Sequence, residues 1–199
     1  MTIRGEDLLI TGAWALLIGA IVDTVGQTQQ TLTSSDFGKD LVIKGNEIEA
    51  FGNALQAVGR TKLLASPAEL PAIFTIFGSW IEAAGNTANA VGVDIEMNVN
   101  EDEGLKIDAL GSGIQGLGSA FEAVGAYIAT ESSFRSLSIT GNSLVTLGSF
   151  IESTGDIFLL QDKIKAGEQL LLIGSWVQLF GMIILLVAIT LEVETINVR

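Results

Sequence analysis

The chain has 199 residues, of which 48% are hydrophobic and 17% charged, and its net charge is −13 at pH 7. This balance excludes a disordered chain, and the negative charge excludes nucleic acid as an expected partner because phosphate backbones would be repelled. Histidine and cysteine are absent. The usual general base, the thiolate nucleophile and the common metal ligands are therefore missing, so we expect neither an enzyme nor a cofactor.

Glycines recur at every seventh residue along most of the chain. Of the 23 glycines, all but Gly113 and Gly116 follow this heptad spacing. The groups repeat, and the steps from Gly12 to Gly45 and from Gly45 to Gly78 are each 33 residues long. Because one helix fits in each repeat, the spacing predicts a chain of similar helices.

The predicted fold is all-α, a single domain over residues 1–199 with six long antiparallel helices in a bundle or helical layer. Short breaks rich in capping residues separate the helices. In the second break, Ser66 to Glu69 form a capping-box pattern that puts Pro67 at the first helical position, and Pro71 fits in the first turn. The third break is acidic, and we interpret residues 94–104 as an exposed loop. The predicted helices lie near 5–28, 38–63, 68–92, 103–129, 134–160 and 163–191.

Each helix has an apolar stripe with the glycines along its border. A glycine inside a helix costs about 0.5–1 kcal/mol relative to alanine, so we expect close helix packing to offset that cost. The opposite face is polar, and we interpret Glu49, Glu82, Glu122 and Glu152 on it as solvated rather than catalytic. The predicted helix-packing residues are Gly12, Gly19, Gly45, Gly52, Gly78, Gly85, Gly111, Gly118, Gly141, Gly148, Gly174 and Gly181.

The first and last helices are the most apolar. Residues 170–191 run for 22 positions without a charge, which is long enough to cross a bilayer, whereas residues 8–22 are better interpreted as a buried helix. Six acidic residues argue against a bundle that crosses the membrane six times, because each would lie near membrane depth. They are Glu47, Glu49, Glu82, Glu122, Glu152 and Asp156. Contacts with other copies or with lipid are predicted at Trp14, Leu17, Trp176, Phe180, Ile184 and Val187.

No metal site is expected. The acidic segment from Asp94 to Gly104 lacks the glycine and the closing glutamate of a calcium-binding EF-hand. We therefore predict a noncatalytic structural protein whose partner is itself, assembling through glycine-lined, apolar helix faces into a filament, lattice or envelope layer. The alternative is a membrane-associated protein, anchored by helix 163–191 or forming a pore.

The repeated pattern Gly-Asn/Ser-x-Leu/Ile-x-x-Phe/Leu-Gly occurs at Gly45 to Gly52, Gly111 to Gly118 and Gly141 to Gly148. It resembles the uncharacterised repetitive glycine-heptad helical proteins of spore-forming Gram-positive bacteria. The resemblance carries no active-site residues over to this chain. We expect a location in the cell or spore envelope, with the membrane surface as the alternative.

Overall fold

A computed structural model describes residues 3–33 and 35–198, and these form an all-α bundle of six helices. The prediction of fold class is confirmed. The short links make successive helices antiparallel neighbours. The helices are α1 (Gly5–Thr33), α2 (Asp36–Leu63), α3 (Leu70–Asn98), α4 (Glu101–Ile128), α5 (Arg135–Leu159) and α6 (Ile164–Val198).

The six helices form a closed ring in chain order, because each packs against its chain neighbours and α1 also packs against α6. The pairs α1/α2, α3/α4 and α5/α6 are the most closely packed. We call the end where α1, α3 and α5 begin the first end of the ring. The end where α2, α4 and α6 begin is the second end.

Several helix boundaries differ from the prediction. Helix α1 continues to Thr33 rather than 28, and the Thr33 hydroxyl donates to the carbonyl of Gln29 at 2.7 Å in its last turn. Helix α3 begins at Leu70 and not at Pro67, so the predicted capping box is wrong. Pro71 does lie in the first turn, where its missing N–H costs no helical hydrogen bond.

The predicted acidic loop is also wrong. Helix α3 continues to Asn98 and α4 begins at Glu101, so Val99 and Asn100 alone separate them. The side chain of Asn100 caps α4 by accepting a hydrogen bond from the Glu103 N–H at 2.9 Å. The acidic residues that follow lie in the first turn of α4, where the helix dipole favours negative charge.

Within the described residues, the two clusters of buried apolar side chains lie where α1, α5 and α6 meet. One cluster there consists of Leu16, Ala20, Val145, Leu179 and Met182. A second cluster joins α1 to α6 and consists of Leu9, Ala13, Ile189 and Val193. Since α1 and α6 also carry apolar side chains on the outside of the ring, both of their faces are apolar.

Candidate functional site

The polar faces of the helices point into the ring, and the apolar stripes face outward. On α3, Glu82 is 4% exposed whereas Trp80 is 49% exposed. Glu49, Glu122 and Glu152 are buried as well, so the prediction of a solvated polar face is wrong. The closed ring explains why the polar faces are buried. The glycines at the border of each helix contact a neighbouring helix, and the polar face beside that border then points into the bundle.

The predicted packing glycines lie opposite one another in the three close helix pairs. A Cβ atom added to the first glycine of each pair would lie 2.7–3.1 Å from the carbonyl oxygen of the second. Ordinary carbon contacts are about 3.5–4.0 Å, so these positions have no room for a side chain. The pairs are Gly12 and Gly52, Gly19 and Gly45, Gly78 and Gly118, Gly85 and Gly111, Gly141 and Gly181, and Gly148 and Gly174.

The same glycines make room for the inward polar side chains. A Cβ at Gly19 would lie 2.5 Å from the Cγ of Glu49, which follows Gly45 by four residues on the partner helix. A Cβ atom at Gly174 would likewise lie 2.5 Å from the Cγ atom of Glu152. The stem of a carboxylate therefore passes over a glycine of the neighbouring helix before its head enters the interior.

Seven carboxyl residues are buried inside the ring, and no lysine or arginine in the described part of the chain is buried with them. They form a column in which neighbouring groups repel one another. Glu82 repels both Glu122 and Glu49, and Glu152 repels Asp23, Glu49 and Asp108. We call this set the acidic column: Asp23, Glu49, Glu82, Asp108, Glu122, Glu152 and Asp156.

Two partly buried cations lie at opposite ends of the acidic column. Near the first end, a terminal nitrogen of Arg60 lies 3.2 Å from Oε2 of Glu122, and the other carboxylate oxygen accepts from Ser79. Near the second end, Nζ of Lys39 lies 2.5 Å from Oε1 of Glu96. Glu96 repels Asp108 and Asp156, which extends the line of carboxyl groups to this end.

A chain of amide side chains crosses the middle of the ring. Nδ2 of Asn89 donates to Oε1 of Gln115 at 3.4 Å, and Nε2 of Gln115 donates to Oε1 of Gln178 at 2.8 Å. Gln178 in turn donates to Oε2 of Glu152. These hydrogen bonds link α3, α4, α6 and α5, so they hold polar side chains of four helices together in the interior.

Two cavities lie along the acidic column. A central cavity of about 20 Å³ is lined by side chains from all six helices, including Asp23, Glu49, Asp108 and Glu152. A larger cavity of about 360 Å³ lies at the first end and reaches Arg60 and Glu122. The central cavity has room for about one water molecule.

Some buried polar atoms along the column have no hydrogen-bond partner within the described residues. They include Oε1 of Glu152, both carboxylate oxygens of Asp156 and both side-chain amide atoms of Asn86. Because buried polar atoms are nearly always paired with protein or water, Oε1 of Glu152, which borders the central cavity, indicates where the interior accommodates a small polar species. Within the described part of the chain, no group of three or more acidic side chains is arranged to hold a metal ion.

The predicted assembly or membrane contacts lie on the outer surface. Trp14, Trp176, Phe180 and Val187 are exposed, while Leu17 and Ile184 are half-buried. The helices Gly5–Thr33 and Ile164–Thr195 are both long and apolar enough to cross a membrane, judged by length and composition. Of the six acidic residues that argued against further crossings, Glu47 alone is exposed, and the other five are buried inside the ring.

The family model for DUF6944, a family of unknown function, matches residues 7–186 of this chain. The chain therefore belongs to that family. No curated protein and no solved structure matches it.

Proposed function

We propose that this chain is an integral membrane protein whose ring of helices faces lipid with apolar side chains and holds or passes a small polar species in its acidic interior. The observation that carries the proposal is the inverted distribution of polarity, with carboxyl groups buried and large apolar side chains exposed. In membrane proteins, ionisable groups face the bundle interior because lipid cannot solvate them.

Uncharged outward faces of the right length support this proposal. In the stretch 70–93 of α3 the one charged residue is Glu82, and in the stretch 136–159 of α5 the charged residues are Glu152 and Asp156. All three are buried. A stretch of about 24 residues spans about 36 Å as a helix, and the hydrocarbon core of a bilayer is about 30 Å thick.

The exposed apolar surface also weighs against a protein that stays monomeric in water. More large apolar side chains are exposed than are buried in the described part of the chain, and they occur on all six helices. Monomeric soluble proteins rarely expose contiguous apolar patches larger than a few hundred Å². Lipid would cover this apolar surface, whereas Asp40, Lys44 and Glu47 leave part of the outer face of α2 charged.

Membrane extraction and tryptophan quenching test the proposal. The full chain, expressed in a bacterial host, should remain in the membrane pellet after alkaline carbonate washing and should float with phosphatidylcholine vesicles. The three tryptophans, Trp14, Trp80 and Trp176, all face outward. Single-tryptophan variants should therefore be quenched by brominated lipid chains more than by aqueous acrylamide. Release by carbonate, together with quenching by acrylamide alone, would exclude a membrane-spanning ring.

A second proposal concerns self-association through α2, whose outer face differs from the other five. Asp40, Lys44 and Glu47 are exposed there, at spacings of four and three residues, and none of them is in an ion pair within the described residues. A second copy packed against this face in antiparallel orientation would place each lysine beside acidic groups of its partner. Self-assembly into a filament, lattice or envelope layer would extend such contacts.

Charge reversal tests this second proposal. Lys44→Glu makes the exposed charges on α2 uniformly acidic and should reduce the amount of cross-linked dimer in detergent. Reversing the charges of Asp40, Lys44 and Glu47 together should restore the dimer. Lys106→Glu, an exposed lysine on α4, serves as the matched control. Equal cross-linking in all variants would show that α2 is not the contact. Large particles that form without detergent and never enter membranes would favour the structural assembly over the membrane protein.

A further inference from the structure

We infer that the acidic column carries protons through the ring, with the central cavity as the point where its two halves meet; this inference rests on the proposed membrane location. The column runs from Glu122, beside the cavity at the first end, to Asp156 and Glu96 near the second end. Asp23, Glu49, Asp108 and Glu152 line the same central cavity, and Asp156 follows Glu152 by one turn of α5 toward the second end.

The carboxyl groups in the middle of the ring have no fixed cation beside them. Arg60 and Lys39 pair with Glu122 and Glu96 at the two ends, and the carboxyl groups between them have no lysine or arginine in an ion pair within the described residues. An ionised carboxylate buried without a partner costs several kcal/mol. Binding a proton removes this cost, because a protonated carboxyl group is neutral.

The small volume of the central cavity favours a proton over a hydrated metal ion. Its volume of about 20 Å³ holds about one water molecule, which leaves no room for a metal ion together with a hydration shell. A proton needs no such space, because it moves between a carboxyl group and a water molecule without displacing either. Carboxyl chains of this kind form proton relays in membrane pumps and transporters.

The unpartnered carboxylate oxygens give an independent indication of where the transfer occurs. Glu152 lines the central cavity, is 7% exposed and has no partner for its Oε1 atom. Asp156, one helical turn away, has no partner for either oxygen. These oxygens are free to accept a proton or a hydrogen bond from a water molecule in the interior.

Each transfer is balanced. The carboxylic acid of Glu152 gives its proton to the water in the cavity, and that water gives one of its own protons to the carboxylate of Asp108, which lines the same cavity from the neighbouring helix α4. One O–H bond breaks and one forms at each step, and the water is regenerated. A proton taken up at one end of the column is thus matched by one released at the other.

Proton flux into vesicles tests the inference. The full chain is reconstituted in phosphatidylcholine vesicles that contain a pH-sensitive dye, and a potassium gradient with valinomycin supplies the driving potential. Wild-type protein should acidify the vesicles faster than protein-free vesicles do. Glu152→Gln should abolish this difference, and Glu103→Gln, which removes the same charge at an exposed position, should retain it. Should Glu152→Gln fail to fold, Asp156→Asn with the exposed Asp94→Asn as its control makes the same comparison.

Flotation of the same vesicles separates the two proposals. Wild-type protein that floats and resists carbonate but adds no proton flux would overturn the relay and leave the membrane proposal standing. Protein that fails to float would remove both. A flux of sodium or potassium ions equal to the proton flux would also overturn the relay, since it would indicate a wider, water-filled path. Equal proton flux in Glu152→Gln, Asp156→Asn and wild-type protein would show that the column does not carry the protons.

Discussion

Alanine substitution of Gly85 tests whether close backbone approach is the reason for the heptad glycines. The added methyl group on α3 would lie 2.5 Å from the backbone nitrogen of Gln115 and 2.8 Å from the carbonyl oxygen of Gly111, both on α4. Because these are backbone atoms, no change of side-chain rotamer can relieve the overlap. The two helices must separate by about 1 Å to reach ordinary contact distances.

The magnitude follows from two opposing effects. Alanine favours the helix over glycine by about 0.5–1 kcal/mol, whereas overpacking a close contact costs about 1–3 kcal/mol. A gap of about 1 Å also forfeits up to about half of the dispersion energy of the neighbouring contacts, which places the cost near the upper end. We therefore expect Gly85→Ala to lower the free energy of unfolding by about 1–2 kcal/mol.

Gly113 provides the matched control, since it lies on α4 but off the heptad spacing. A Cβ atom there would meet only the Ser153 hydroxyl, at 3.8 Å, so Gly113→Ala should increase stability by about 0.5–1 kcal/mol. Thermal unfolding followed by far-UV circular dichroism in one mild detergent measures both variants. If Gly85→Ala melts at or above the wild-type temperature, the glycines are not needed for close packing and this reasoning is refuted.

Substitutions at four further positions probe the interior and one helix end by the same melting measurement. Arg60→Gln should lower the free energy of unfolding by about 3–5 kcal/mol because it leaves Glu122 without its cation. Adding Glu122→Gln should recover most of that stability, and a double variant no more stable than the single one would contradict the pairing. Asn86→Leu should stabilise the ring by about 1–3 kcal/mol, since it removes a fully buried amide with no partner, and a loss of stability would mean that the amide has a bound partner. Asn100→Ala should cost about 1 kcal/mol and Asn100→Asp much less, because aspartate keeps the cap; equal melting of these two variants would show that the cap contributes nothing.

The number and type of the helices could be predicted because the local signals agree with one another. Glycines at every seventh residue mark each helix, and residues that favour helix starts occur where expected, with Ser35 directly before α2 and Pro71 in the first turn of α3. The ends themselves were less predictable. Asn98 and Glu101 sit in an acidic run typical of a loop, yet a single capping side chain at Asn100 lets two helices meet almost directly.

The candidate site could not be predicted, because a helical wheel separates two faces without saying which one meets the solvent. Glu82 and Trp80 lie on opposite faces of α3, and the usual rule for soluble proteins assigns them the wrong way round. One signal did point to the inversion. The polar faces carry Asn, Gln, Ser and Glu in the middle of the helices, whereas lysine, which is typical of solvated faces, occurs close to the helix ends or on the outer face of α2.

The glycines and the acidic column depend on each other. Several carboxylate stems enter the ring over a glycine of the facing helix, as Glu152 does at Gly174, and the helices approach that closely along their glycine borders. Wider spacing would enlarge the central cavity, let hydrated ions enter and remove the preference for protons. The heptad that first indicates how the helices pack therefore also sets the width of the interior path.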